Sequence, residues 1–188
     1  MIGLVLGAVL ASAPCHHDRE ALLSMPVEAF DKTYGQGWRP LGDVPVCERV
    51  AADLISAYRE RNGDRLSRDE RNGLAWHEGQ LRAASGEEAR AAALLELARS
   101  GDEDEGDRLY AEATVAFLRR DRLRLTEARR RLAAMPEPAG FAAAAARAKA
   151  KHGMVVTWPP NLGVVDGLIA CFGRPYREAY AAECRPKP

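Results

Sequence analysis

The stretch from Trp76 to Ala98 constrains this chain more than any other. It reads as a helix, a turn at Ser85-Gly86 and a second helix, with small residues where two helices must lie close together. Leu74, Leu81 and Ala84 share one face before the turn, while Ala91, Leu94, Leu95 and Ala98 share one stripe after it. Ser67-Arg68-Asp69-Glu70 forms a capping box that opens the first helix. Alanine supplies much of the apolar content and aromatic residues are only 6% of the chain. Alanine loses little entropy on entering a helix, so the bias extends the helical preference to the whole sequence. A chain of 188 residues is also long enough to bury a core as one domain.

The same periodicity recurs along the chain. Val50, Leu54, Ala57 and Tyr58 make an amphipathic helix ended by Asn62-Gly63. Leu109, Ala113, Ala116 and Phe117 form a second stripe, Asp121 a break, and Leu125, Ala128 and Leu132 a third. Asp102 to Asp107 reads as a hydrated acidic connector, Phe141 to Lys151 as an alanine-rich helix stopped by Gly153. Asn161 is placed to cap a helix carrying Leu162, Val165, Ile169 and Phe172, and Pro175 to open a last short one. The expected fold class is therefore all-α, with stacked antiparallel helical hairpins over residues 47–188. Residues 14–46 begin with a short helix from Asp18 to Met25 and continue as an irregular arm pinned by Trp38 and Val44-Pro45-Val46.

Residues 1–13 read as a signal peptide: Met1 to Leu10 is uninterrupted and apolar, and Ala11-Ser12-Ala13 supplies a small-residue cleavage site. The protein is then periplasmic or secreted, with no membrane span left after removal of the signal. Four cysteines, Cys15, Cys47, Cys171 and Cys184, fit an oxidising compartment, and none forms a C-x-x-C pair. Three pairings are open. Cys15 with Cys47 would tether the arm, leaving Cys171 with Cys184. The second bond requires the last helix to be short or steeply crossed, because a straight hairpin would separate these two by well over ~10 Å.

Spacing also excludes several chemistries. Equal numbers of basic and acidic residues, 27 each, argue against a nucleic-acid partner. His77-Glu78 begins a zinc-protease pattern, but Leu81 stands where the second histidine belongs. Cys15-His16-His17-Asp18 could wrap copper or nickel only at a free mature N-terminus, so no metal or cofactor is expected. No nucleophile elbow, phosphate loop or dinucleotide fingerprint occurs, and no catalytic residue is assigned.

Gly79, Gly86, Ala91, Leu95 and Ala98 stand at spacings that resemble the tetratricopeptide repeat. Trp76 is displaced by one from that family's aromatic, and Arg82 replaces a large apolar residue. A degenerate second copy runs from Tyr110 to Pro138, where Phe117 and Ala133 fit and Asp121 replaces the turn glycine. The resemblance implies a concave helical surface that binds a peptide or protein partner. Its expected binding residues are Trp76, Gln80 and Arg82, with Arg120 and Arg124 of an arginine-dense patch beside them. The alternative is a small exported enzyme acting on cell-envelope polymers, for which converging carboxylates such as Glu70 and Glu78 would be needed.

Overall fold

The computed structural model describes residues 14–99 and 104–186, so the signal-peptide expectation lies outside the described residues. The fold is all-α, with no strand among the described residues. The described residues form ten α-helices in chain order: α1 (Arg19–Leu23), α2 (Arg39–Gly42), α3 (Glu48–Asn62), α4 (Arg68–Ala84), α5 (Glu88–Ala98), α6 (Glu105–Leu118), α7 (Arg122–Ala133), α8 (Phe141–His152), α9 (Leu162–Ala170) and α10 (Tyr176–Tyr180). No described helix is long and apolar enough to cross a membrane.

Local chemistry sets several helix ends. Asp18, Ser67, Asp104 and Asp121 each accept a backbone N–H in the first turn of the helix that follows, and Glu70 completes the capping box with Ser67. Much of the expected acidic connector is thus the start of α6: Asp104 is its N-cap, and Glu105 and Asp107 sit where the helix dipole favours negative charge. Asn161 precedes α9 but makes no side-chain cap. Gly86 at φ +85° makes the turn between α4 and α5, a conformation costly for any residue with a Cβ.

Two apolar clusters divide the interior. One joins α5, α6, α7, α9 and α10, with α6 buried along most of its length. Phe117, Leu125, Ala128, Leu132, Val165 and Leu168 are fully enclosed there. The other cluster unites the N-terminal arm with α3 and the inner face of α4. Phe30 stacks on Tyr58 with ring centroids 3.8 Å apart, and Tyr58 donates to the Met25 carbonyl at 2.8 Å.

The arm is more ordered than its glycine and proline content suggested. Glu28–Lys32 forms one π-helical turn, Arg39–Gly42 a short helix with proline in its first turn, and Pro45–Cys47 a 3₁₀ turn. Trp38 is buried as expected, but Val44 and Val46 face solvent. The disulfide Cys15–Cys47 and Phe30 fasten the arm instead.

Cys171 pairs with Cys184, their Cα atoms 5.9 Å apart. The geometric obstacle is removed because α10 has only five residues, after which the chain turns through Ala182–Cys184 and returns to the end of α9.

Candidate functional site

A cleft of about 670 Å³ opens along α4. Asp69, Asn72, Trp76 and Gln80 line it at intervals of three and four residues, so they share one face of the helix. Leu74 and Leu81 are buried elsewhere on the same helix. The other walls come from the end of α5 (Ala98, Arg99), the start of α6 (Asp107, Tyr110, Ala111), Asn161 and Tyr180. Trp76 packs against Tyr110 with centroids 5.4 Å apart and planes tilted by 59°.

Burial sets the protonation of the tyrosines in and behind the cleft. Tyr110 is held protonated far above the usual phenol range, first by burial and then by Tyr176 and Tyr180. Tyr176 is pushed up in the same way, by burial and by Tyr180, while Gln80 and Tyr110 pull it partly back. These phenols are neutral hydrogen-bonding groups at any physiological pH. Arg99 Nε is buried, and among the described residues no acceptor meets it. The cleft thus combines aromatic walls, side-chain amides, the carboxylates of Asp69 and Asp107 and the Arg99 side chain, a lining with both donors and acceptors for a polar ligand.

No protein family matches this chain. No curated protein and no solved structure matches it either.

Of the residues expected to bind, Trp76 and Gln80 lie together in the cleft. Arg82 does not join them. It is turned inward, 1% exposed, and holds Asp53 and Glu87 at 2.7 Å each and Glu78 at 3.3 Å. Arg120 and Arg124 line no part of the cleft. Arg120 donates to both carboxylate oxygens of Glu88 and to the Arg174 carbonyl, and Arg124 pairs with Asp121. Four more arginines of the patch are similarly matched, Arg119 with Glu96, Arg129 with Asp166, Arg130 with Glu127 and Arg131 with Glu112, whereas Arg122 lies over the Phe172 ring. Tyr110, Asn161 and Tyr180 come from distant segments, so sequence spacing gave no sign of them. Asn72 could have been found, since Asp69, Asn72, Trp76 and Gln80 form a polar stripe with a tryptophan inside it.

The carboxylates named for an enzyme do not converge. Glu70 is occupied by the Ser67 cap, and Glu78 is buried among Arg59, Arg82 and Arg90. His77 instead meets Asp31, which takes Nδ1 of the imidazole at 2.8 Å and the Trp38 indole N–H at 2.9 Å on the same oxygen. Burial opposes ionisation of Asp31, but the bonds from His77 and Trp38 and the charges of His77 and Arg39 outweigh it and hold its carboxyl below the usual range. Among the described residues no three His, Cys, Asp or Glu side chains gather as a metal site, and Cys15 is committed to its disulfide.

Proposed function

We propose that this chain is an exported interaction module that holds a segment of a partner polypeptide in the α4–α6 cleft. One observation carries the reading: the cleft of about 670 Å³ combines the Trp76 and Tyr110 rings with the amides of Asn72, Gln80 and Asn161. Aromatic walls take an apolar or aromatic side chain of the guest, and amides match peptide N–H and C=O groups. Arg99 lines the same cleft and offers its guanidinium to a carbonyl or a chain-terminal carboxylate of the guest. The tetratricopeptide likeness belongs to the same proposal. Close approach of α4 and α5 at Gly79, where an added Cβ would fall 2.8 Å from Leu95 Cδ2, supports it. Export is part of the reading too, since two disulfides persist most readily in an oxidising compartment.

The test is selection of phage-displayed random peptides on the full chain. A shared peptide pattern should emerge, and its affinity should fall at least about tenfold in Gln80→Lys and Arg99→Glu, both at the cleft wall, with thermal unfolding unchanged. Absence of any enriched pattern, or peptides that bind both variants as tightly as the parent, overturns the proposal.

A further inference from the structure

The excursion from Phe141 to Trp158 is fastened at its two ends and free between them. Phe141 meets Trp158 edge to face at 5.2 Å, and the Trp158 indole N–H donates to the Met135 carbonyl at 3.1 Å. No residue of α8 is buried, and the return segment from Met154 to Thr157 is exposed throughout. Met154 and Val155 are 57% and 76% exposed, although each would gain by leaving water.

The surface of this arm is ordered around the helix. Phe141, Ala145 and Ala148, the three partly buried residues, share one side. At about 100° per residue, the exposed Ala143, Ala146 and Ala150 occupy the opposite side, with Ala142 at its edge. Lys149 borders that alanine face on one edge, Arg147 and Lys151 on the other. Between Glu137 and Asp166 there is no acidic residue. Removing these three cations from the 27 basic residues leaves 24 against 27 acidic ones, so positive charge is concentrated here in a chain of zero net charge.

We propose that α8 and the return segment dock on a lipid surface bearing anionic phospholipid headgroups. Long cationic side chains on both borders of an apolar face can reach up to headgroup phosphates while the face rests on acyl chains. Met154, Val155 and Val156 add apolar contact beside the cationic last turn. An acidic polypeptide would be drawn by the same charge, but it would leave the exposed apolar residues at the tip without a purpose.

The experiment is co-sedimentation of the full chain with vesicles of phosphatidylcholine, alone or with about a third phosphatidylglycerol. Because the apolar Met1 to Leu10 run can partition by itself, the readout is the difference between parent and variants. Binding should require phosphatidylglycerol and weaken with added salt. It should fall at least about tenfold in Lys149→Glu/Lys151→Glu, and about fivefold in the uncharged Val155→Ser/Val156→Ser. All four side chains are solvent-facing, so circular dichroism should be the same for parent and variants. Variants that bind like the parent, or partition indifferent to phosphatidylglycerol, overturn the proposal. So does capture of soluble polyglutamate by a chain that ignores the vesicles.

Discussion

Glu78 and Arg82, one turn apart on α4, form an ion pair at 3.3 Å in which each side chain is only 1% exposed. Glu78 also receives Arg59 of α3 at 2.6 Å and Arg90 of α5 at 3.4 Å, while Arg82 reaches Asp53 of α3 and Glu87 before α5. The network joins three consecutive helices around a buried centre, Glu78 and Arg82, while Asp53 and Arg90 at its rim face solvent. Each charge stays buried only because its partners compensate it.

The costs of removing the two partners should therefore not add. Arg82→Met alone is expected to cost up to about 3 kcal/mol, because it removes the bonds to Glu78, Asp53 and Glu87, while Glu78 keeps Arg59 and Arg90. Glu78→Leu/Arg82→Met should cost less than the two single changes added together, since Arg59, Asp53 and Glu87 retain access to solvent. Urea unfolding of the four proteins in a double-mutant cycle measures this. Simple additivity would show that the pair is not coupled.

Gly79 is the position at which α4 and α5 approach most demandingly. A Cβ there would lie 2.8 Å from Leu95 Cδ2 and 2.9 Å from Leu95 Cγ, and Leu95 is fully buried. Gly79→Ala gains about 1 kcal/mol of helix propensity. Overpacking costs about 1–3 kcal/mol, so the net change should be destabilising by up to about 2 kcal/mol. Leu95→Ala in the same chain should restore tolerance of the added methyl at position 79, read as a smaller penalty for the second change when both are present.

These examples separate what was legible in the sequence from what was not. Leu125, Ala128 and Leu132 were assigned to one face by spacing alone, and all three are fully enclosed. Gly79, Ala91 and Ala98 are buried as the need for close helix contact implied, whereas Gly86, expected with them, is exposed and serves the turn through its positive φ instead. Periodicity reports which side of a helix avoids water, and it reports this well. It carries no information about partners from elsewhere. Arg82 looked like a surface charge because nothing local announces the carboxylates from α3 and the α4–α5 turn that enclose it. The cleft was half visible for the same reason: Trp76 and Gln80 lie on one helix, whereas Tyr110, Asn161 and Tyr180 arrive through tertiary packing. Val44 and Val46 misled because hydrophobicity alone does not say whether a short run finds a surface to cover.

Asp31 should make the protein more sensitive to acid. Its folded carboxyl ionises below the unfolded value, so the stabilisation it supplies is complete above the unfolded pKa of about 3.9 and is lost as pH falls through the folded one. Asp31→Asn removes charge-assisted bonds to His77 and Trp38 and should cost about 2 kcal/mol at neutral pH. The gap between parent and variant should narrow below about pH 4. Denaturant titrations at pH 7 and pH 3 test this, and a gap of constant size would remove Asp31 from the account of acid stability.

The two disulfides should differ in what they contribute despite similar span between Cα atoms, 5.4 Å and 5.9 Å. Cys15–Cys47 closes a chain separation of 32 residues and Cys171–Cys184 one of 13. Restriction of the unfolded chain alone gives about 4 kcal/mol for the longer loop and about 3 kcal/mol for the shorter. What they hold differs more. The arm anchored at Cys47 also has Phe30 stacked on Tyr58, Trp38 on Asp31 and Tyr58 on Met25, so Cys15→Ser/Cys47→Ser should leave it docked. The segment after α10 has fewer ties, chiefly Arg185 to the Tyr180 carbonyl. Cys171→Ser/Cys184→Ser should therefore raise amide hydrogen exchange locally in residues 181–186, whereas the first pair should lower global stability with the arm still protected. Loss of protection across residues 19–47 in the first variant would mean that the sulfur bridge, rather than the packed aromatic rings, keeps the arm in place.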